Sequence, residues 1–175
     1  MSKLSADEFV RRTADGVYAL AMRLTGNAAD AWDLAQDAML RAVSSLEAFR
    51  GESDPRTWAY RITVNAFKNA RSSGAARFRS ATASLDVPPE EGRAALDPAG
   101  DPPADAALER RAQGEAIERA LAALSPEDRA ALSLREFDDL SYAQIAEVLD
   151  VPVGTVKSRI HRARTELAKA LENLR

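Results

Sequence analysis

The chain has no cysteine. Disulfides, thiolate metal sites and cysteine nucleophiles are excluded, and the composition suits a reducing compartment, so a cytoplasmic location is expected. Histidine occurs once. With no glycine-rich phosphate loop either, no nucleophile–base pair, metal cluster or cofactor cradle is assembled, and neither an enzyme nor a small-molecule substrate is expected. No apolar run reaches the length of about 18 residues that a membrane helix needs, so no membrane insertion is expected. The opening Met1-Ser2-Lys3-Leu4-Ser5-Ala6-Asp7-Glu8 turns acidic at once and lacks the apolar core of a secretory leader. Alternating Val/Ile/Thr runs are missing, so the fold class reads as all-α. Excess positive charge is missing too: 24 Lys and Arg face 27 Asp and Glu, a net charge of −3. Proteins that coat nucleic acid are basic overall, so any contact with DNA here must be local.

What is present is a chain of 175 residues, 46% of them apolar. That is enough for two small packed units, each with a modest core. The composition divides it into residues 1–72, 73–110 and 111–175. Five of the eight prolines fall in the middle stretch, which has few large apolar residues and, over 72–110, 4 basic against 7 acidic side chains. Such a segment cannot offset its ordering entropy by burial, so a flexible acidic linker is expected.

Helical periodicity places three helices in the first part. One runs over 6–24 with Phe9, Val17, Leu20 and Leu24 inward, and Thr25-Gly26-Asn27 breaks it. The next spans 29–48 with Ala35, Ala38, Met39, Ala42, Val43 and Leu46 on one face. The last starts after Ser53-Asp54-Pro55, a cap followed by a first-turn proline, and continues to about Arg71. The C-terminal part gives four: 107–123 with Ile117, Leu121 and Leu124 inward; one capped by Ser125-Pro126-Glu127-Asp128 and ending near Glu136; one opening on the capping box Ser141 to Gln144; and one over 153–171.

The last two form the layout of a helix-turn-helix. Ile145, Ala146, Leu149 and Val151 can pack on Val156 and Ile160, and Ala163, Leu167 and Leu171 continue the inner face. The outer face holds Lys157, Ser158, Arg159, His161, Arg162 and Arg164, and no acidic residue lies between Asp150 and Glu166. In a major groove, Thr155, Lys157, Ser158 and Arg162 would reach base edges while Arg159, His161 and Arg164 hold phosphates. A solvated basic helix face is the plainer alternative.

Two weaker signals lie upstream. Thr57, Arg61, Asn65 and Lys68 form a polar stripe, extended by Asn69, along a helix that also carries Trp58, Ile62, Ala66 and Phe67. Planar and polar side chains together suit an unstacked DNA strand, although such a stripe also describes the wet side of any helix. Asp33, Gln36, Asp37 and Leu40 make an acidic patch with one exposed leucine, suited either to a basic partner or simply to water.

These signals follow the order and local wording of one family. Asp33-Leu34-Ala35-Gln36-Asp37-Ala38 through Leu46-Glu47-Ala48-Phe49-Arg50-Gly51 resembles the opening of conserved region 2 of extracytoplasmic-function (ECF) sigma factors. Thr57 to Ala66 looks like their promoter-melting segment. Leu124 to Arg129 and Leu140 to Ala146 resemble the start of region 4, and Val153 to Arg164 looks like the recognition helix. The likeness covers nearly all of 1–71 and 111–175.

The resemblance implies two helical domains on a linker that threads the RNA exit channel, and an alternative sigma factor serving an envelope or environmental stress response. Asp33, Gln36, Asp37 and Leu40 would bind the clamp helices of the largest subunit of RNA polymerase. Asn65 and Asn69 would sit near the flipped minus-10 base, with Thr57, Trp58, Arg61 and Lys68 along the strand. Phe49, Arg50 and Arg56 belong to the loop that would hold that base. The recognition helix would read the minus-35 duplex, and its domain would touch the polymerase flap. An anti-sigma factor is an implied partner.

Three departures stand out. Trp32 replaces a usual acidic residue, Asp54-Pro55-Arg56 is less apolar than expected in the base-holding loop, and His161 occupies a variable, often aromatic position. The competing reading is a free-standing helix-turn-helix regulator that binds a palindrome as a dimer. Paired carboxylates such as Asp138-Asp139, in a turn between helices, are what an enzymatic reading would rest on, and they have no visible partner in the sequence.

Overall fold

The computed structural model describes residues 4–49, 51, 53–72, 114 and 116–172. Helix α1 spans Ala6–Thr25; the Ser5 side chain accepts from the Glu8 amide at its start, and Asp7 and Glu8 favour the positive end of its dipole. Gly26 closes the helix in the left-handed conformation (φ 78°), its N–H reaching the Met22 carbonyl. Asn27 then caps α2, Ala28–Ser44. A single 3-10 turn, Leu46–Ala48, follows. Helix α3 is Pro55–Ser72, and the Asp54 carboxylate accepts from the Arg56 amide at 2.8 Å.

The α1–α3 core is built from Phe9, Val17, Leu20 and Leu24 against Ala31, Leu34, Ala35, Ala38 and Ala42. The alanine face lets α2 lie close to α1. Trp58 is wedged between Phe9, edge-to-face at 5.5 Å, and Phe49 at 4.9 Å. Tyr60 is fully buried. It crosses Gly16 so closely that a Cβ there would collide with the tyrosine hydroxyl. Four residues depart from expectation here. Val43 is exposed, because the packed face of α2 is narrow and Ala42 fills it; Met39 and Leu46 are only partly buried. Thr57 is buried rather than part of the wet stripe.

In the C-terminal half a helix is described over 116–123 (α4). It buries Leu121, with Leu124 just beyond, but leaves Ile117 exposed, a turn ahead of the packed end. Helices α5 (Pro126–Glu136), α6 (Tyr142–Leu149) and α7 (Val153–Glu172) complete it. Ser125 caps α5 through the Asp128 amide. The capping box forms: Ser141 Oγ accepts from the Gln144 amide and Gln144 Oε1 from the Ser141 amide. Between α6 and α7, Asp150 takes a left-handed conformation (φ 55°) and the Val151 amide bonds the Ala146 carbonyl, so the turn costs only two further residues. Ile145, Val148, Leu149, Val156, Ile160 and Ala163 are buried together.

The two halves are not held apart. Helix α3 packs on α6 and α1 on α5, and the buried residues form one continuous cluster. Arg129 ties the seam: its guanidinium donates to the carbonyls of Leu24 (3.0 Å), Ala122 (2.6 Å) and Leu124 (3.1 Å), serving the open ends of α1 and α4. The expected linker, 73–110, lies outside the described residues, as does Arg50.

Candidate nucleic-acid interface

Helix α7 presents its polar face because Val156, Ile160 and Ala163 fix the opposite one in the core. Lys157 and His161 project into solvent and have no ion pair among the described residues, whereas Thr155 and Arg159 are half-buried. Ser158 Oγ donates back to the Thr155 carbonyl at 3.0 Å. Two arginines are already engaged. Arg162 grips Asp128 with both arms of its fork, at 2.7 and 2.6 Å. Asp128 is buried, and these bonds hold its carboxyl below the ordinary 3.8 against the opposing effect of burial. Arg164 donates twice to Glu136, at 3.1 and 2.5 Å. Thus α5 holds α7 in place through side chains expected to face DNA.

On α3, Asn65 and Asn69 are exposed and Arg61 and Lys68 half-buried, one face as the spacing required. Trp58 and Phe49 belong to the core cluster and its margin, and Thr57 is buried. The occupied stripe is therefore shorter than its sequence outline. Arg56 is exposed at the start of the helix and donates to the Tyr60 hydroxyl at 3.0 Å.

The C-terminal half covers much of this face. Lys68 Nζ donates to the Leu149 carbonyl at 2.8 Å, and Arg61 lies 3.8 Å from Glu147. Asp138, unpartnered in the sequence reading, accepts from Tyr60 Oη at 2.8 Å and pairs with Arg23 at 2.6 Å. Burial is the main cause that pushes the Tyr60 hydroxyl up to about 12. Beside these contacts a cavity of about 320 Å³ brings together Lys68 and Arg71 of α3 with Arg159 of α7. No local spacing signals such pairings, since their partners lie 78 to 115 residues apart.

On α2, Gln36 and Leu40 are exposed as expected, and Leu40 is 70% accessible. Asp33 is also exposed. Asp37 is held by Arg41 at 2.9 Å, one turn on. A shallow apolar groove formed by Val10, Met39, Leu40 and Val43 adjoins them. The sequence reading missed this groove because it assigned Met39 and Val43 to the core. Trp32 is exposed and leans edge-on against Tyr18 at 6.0 Å.

Comparison with known proteins follows this layout. The model of Sigma-70 region 2 matches residues 9–77 and that of Sigma-70 region 4 matches 114–167. Those two matches, in that order, define a sigma-70-type initiation factor. Among curated relatives, the chain is 39% identical to the ECF RNA polymerase sigma factor SigE of Mycolicibacterium smegmatis, over 93% of this chain and 60% of the relative. It is 37% identical to the RNA polymerase sigma-H factor of Pseudomonas aeruginosa, covering 98% and 89%. With the ECF RNA polymerase sigma-E factor of Escherichia coli it shares 36%, covering 83% and 75%. The chain belongs to the ECF sigma factors, the alternative sigma subunits of bacterial RNA polymerase. The fold is shared with the sigma factor RpoE of Bartonella quintana, solved with the anti-sigma factor NepR (TM-score 0.67, 24% identity, 93% of this chain and 94% of that one). It is also shared with CnrH, solved with the cytosolic domain of CnrY (TM-score 0.62, 23% identity, 96% and 88%).

Proposed function

We propose that this chain directs RNA polymerase to a defined set of stress-responsive promoters and acts in the cytoplasm without enzymatic activity of its own. Residues 1–72 serve as the polymerase-binding and minus-10 domain, residues 111–175 as the minus-35 domain, and 73–110 connect them. The observation that carries this reading is the pairing, on one chain, of a rigid helix-turn-helix with a separate α3 face bearing Arg61, Asn65, Lys68 and Asn69. A free-standing regulator has no use for the second.

In this scheme Asp33, Gln36, Asp37 and Leu40 dock on the clamp helices of the largest subunit, and the C-terminal domain meets the flap. Arg56, Arg61 and Lys68 follow the strand phosphates while Asn65 and Asn69 address bases; Phe49, Trp58 and Thr57 support the base-holding loop from below. Thr155, Lys157 and Ser158 face the minus-35 base edges, and Arg159 and His161 face phosphates. Arg162 and Arg164 act first by fixing α7 on α5. An anti-sigma factor is the expected antagonist.

Run-off transcription with purified core polymerase, on DNA carrying the upstream region of the chain's own gene, tests the proposal. Transcripts with one start point that require the chain are expected. A footprint by the chain alone, with no transcript, would instead support the free-standing regulator.

A further inference from the structure

The end of α3 meets α5 and α7 around the cavity of about 320 Å³. Its floor is apolar: Val64, Phe67, Ala130 and Leu149 line it, and each is buried. Its rim is cationic. Lys68, Arg71 and Arg159 stand around it against one acid, Glu127. Lys68 spends one of its three ammonium hydrogens on the Leu149 carbonyl, at 2.8 Å, and keeps two. Arg129 adds to the field. Its acceptors among the described residues are carbonyls rather than carboxylates. Burial first, and then repulsion from Arg71, push its guanidinium below the ordinary value. A cleft with an excess of one sign and apolar walls concentrates the opposite ion.

We infer that this cavity binds a small organic phosphate, a phosphomonoester head on an apolar ring body. Three lining cations against one acid leave two positive charges. They match the dianion, since a phosphomonoester carries about −1.5 to −2 at pH 7. Arginine forks and a lysine ammonium are suited to phosphate oxygens. The ring gives the apolar floor a partner that a bare phosphate cannot. The volume lies at the small end of ligand pockets, which run from about 300 to 1,000 Å³. It suits one or two rings rather than a peptide or a nucleic-acid strand. One consequence rests on the proposed function: Lys68 and Arg159 are also assigned to promoter phosphates, so an occupied cavity withholds them from DNA.

The probe is naphthyl phosphate, titrated into the full isotope-labelled chain and followed by amide chemical shifts. Saturable shifts are expected at the end of α3, the first turn of α5 and the turn of α7 that holds Arg159. Inorganic phosphate and naphthol should each bind at least about tenfold more weakly, as loss of either the apolar or the charged contacts requires. Arg71 and Glu127 are exposed, so their replacement leaves the core intact. Arg71→Ala should weaken probe binding about tenfold, the loss of one charge-assisted contact. Glu127→Gln should tighten it about threefold, the removal of one exposed repelling charge. Opposite signs at two surface positions do not arise from a damaged fold. Shifts that never saturate, or two variants without effect, would overturn the site. Inorganic phosphate binding as tightly as the probe would also overturn it, and would mean an adventitious ion only. With core polymerase, saturating probe added to the chain before DNA should lower run-off yield. Arg71→Ala should transcribe normally and resist the probe. An unchanged yield would overturn the competition with DNA. Absence of any transcript from the unsubstituted chain counts against the sigma-factor reading instead, and leaves the titration standing.

Discussion

Arg162 meets a carboxylate before it meets any ligand. The double bond to Asp128 fixes the middle of α7 on the first turn of α5, and the depressed Asp128 carboxyl gives this contact a pH signature. A group whose folded value is lowered stabilises the fold fully above its unfolded value, here near 3.8, and loses that contribution as pH falls towards the folded value. Asp128→Asn should therefore lower the melting temperature at pH 7 and flatten its decline below pH ~4, measured by thermal denaturation across pH. Arg162→Ala should show the same loss of stability, and its effect on minus-35 binding should appear as a reduced duplex affinity at every promoter rather than a change in preferred bases. Tyr60 gives the opposite sign. Its raised value means that burial contributes fully below the free value of 10.0 and is lost as pH climbs towards about 12. An alkaline absorbance titration should find one of the three tyrosines ionising late, near pH 12, and Asp138→Ala, by opening the seam, should bring it down.

At the scale of the element, α6 is eight residues long, too short to persist on intrinsic propensity. Its capping box and the burial of Ile145, Val148 and Leu149 hold it. Ser141→Ala should cost about 1 kcal/mol, read as a lower urea midpoint, and should weaken duplex binding because α6 sets the angle of α7. This level of structure was the most legible from sequence. Ser125, Ser141 and Gly26 carry start and stop signals that act within four residues, so the helices they bound fall where periodicity and caps place them. The faces of α2 and α3 were less legible. Thr57 and Val43 lie on the boundary of an apolar arc, and which side a boundary residue takes depends on the size of the neighbour: alanine on α2 draws α1 close and leaves Val43 outside.

For the whole molecule, the sequence pointed to two reading heads on a tether, and the fold joins them in one core. The pairing of Asp138 with Arg23, or of Arg129 with Leu24, follows from how two amphipathic surfaces meet, which no local pattern encodes. Folding should therefore be shared. Both tryptophans, Trp32 and Trp58, lie in the N-terminal half, whereas Ile145 is fully buried in the C-terminal half. Ile145→Ala should cost about 2–5 kcal/mol, and the tryptophan fluorescence transition should shift to lower temperature along with the circular dichroism transition. Independent halves would leave the fluorescence transition in place.

The crossing of Tyr60 over Gly16 has a consequence for how this chain can diverge. The hydroxyl fills the space that any larger residue at position 16 would need, so the two positions cannot drift independently. A lineage that acquires alanine at 16 must first lose the hydroxyl at 60, and with it a bond to Asp138. The order of those two replacements is thus set by geometry, and descendants carrying a side chain at 16 should carry phenylalanine or a smaller residue at 60.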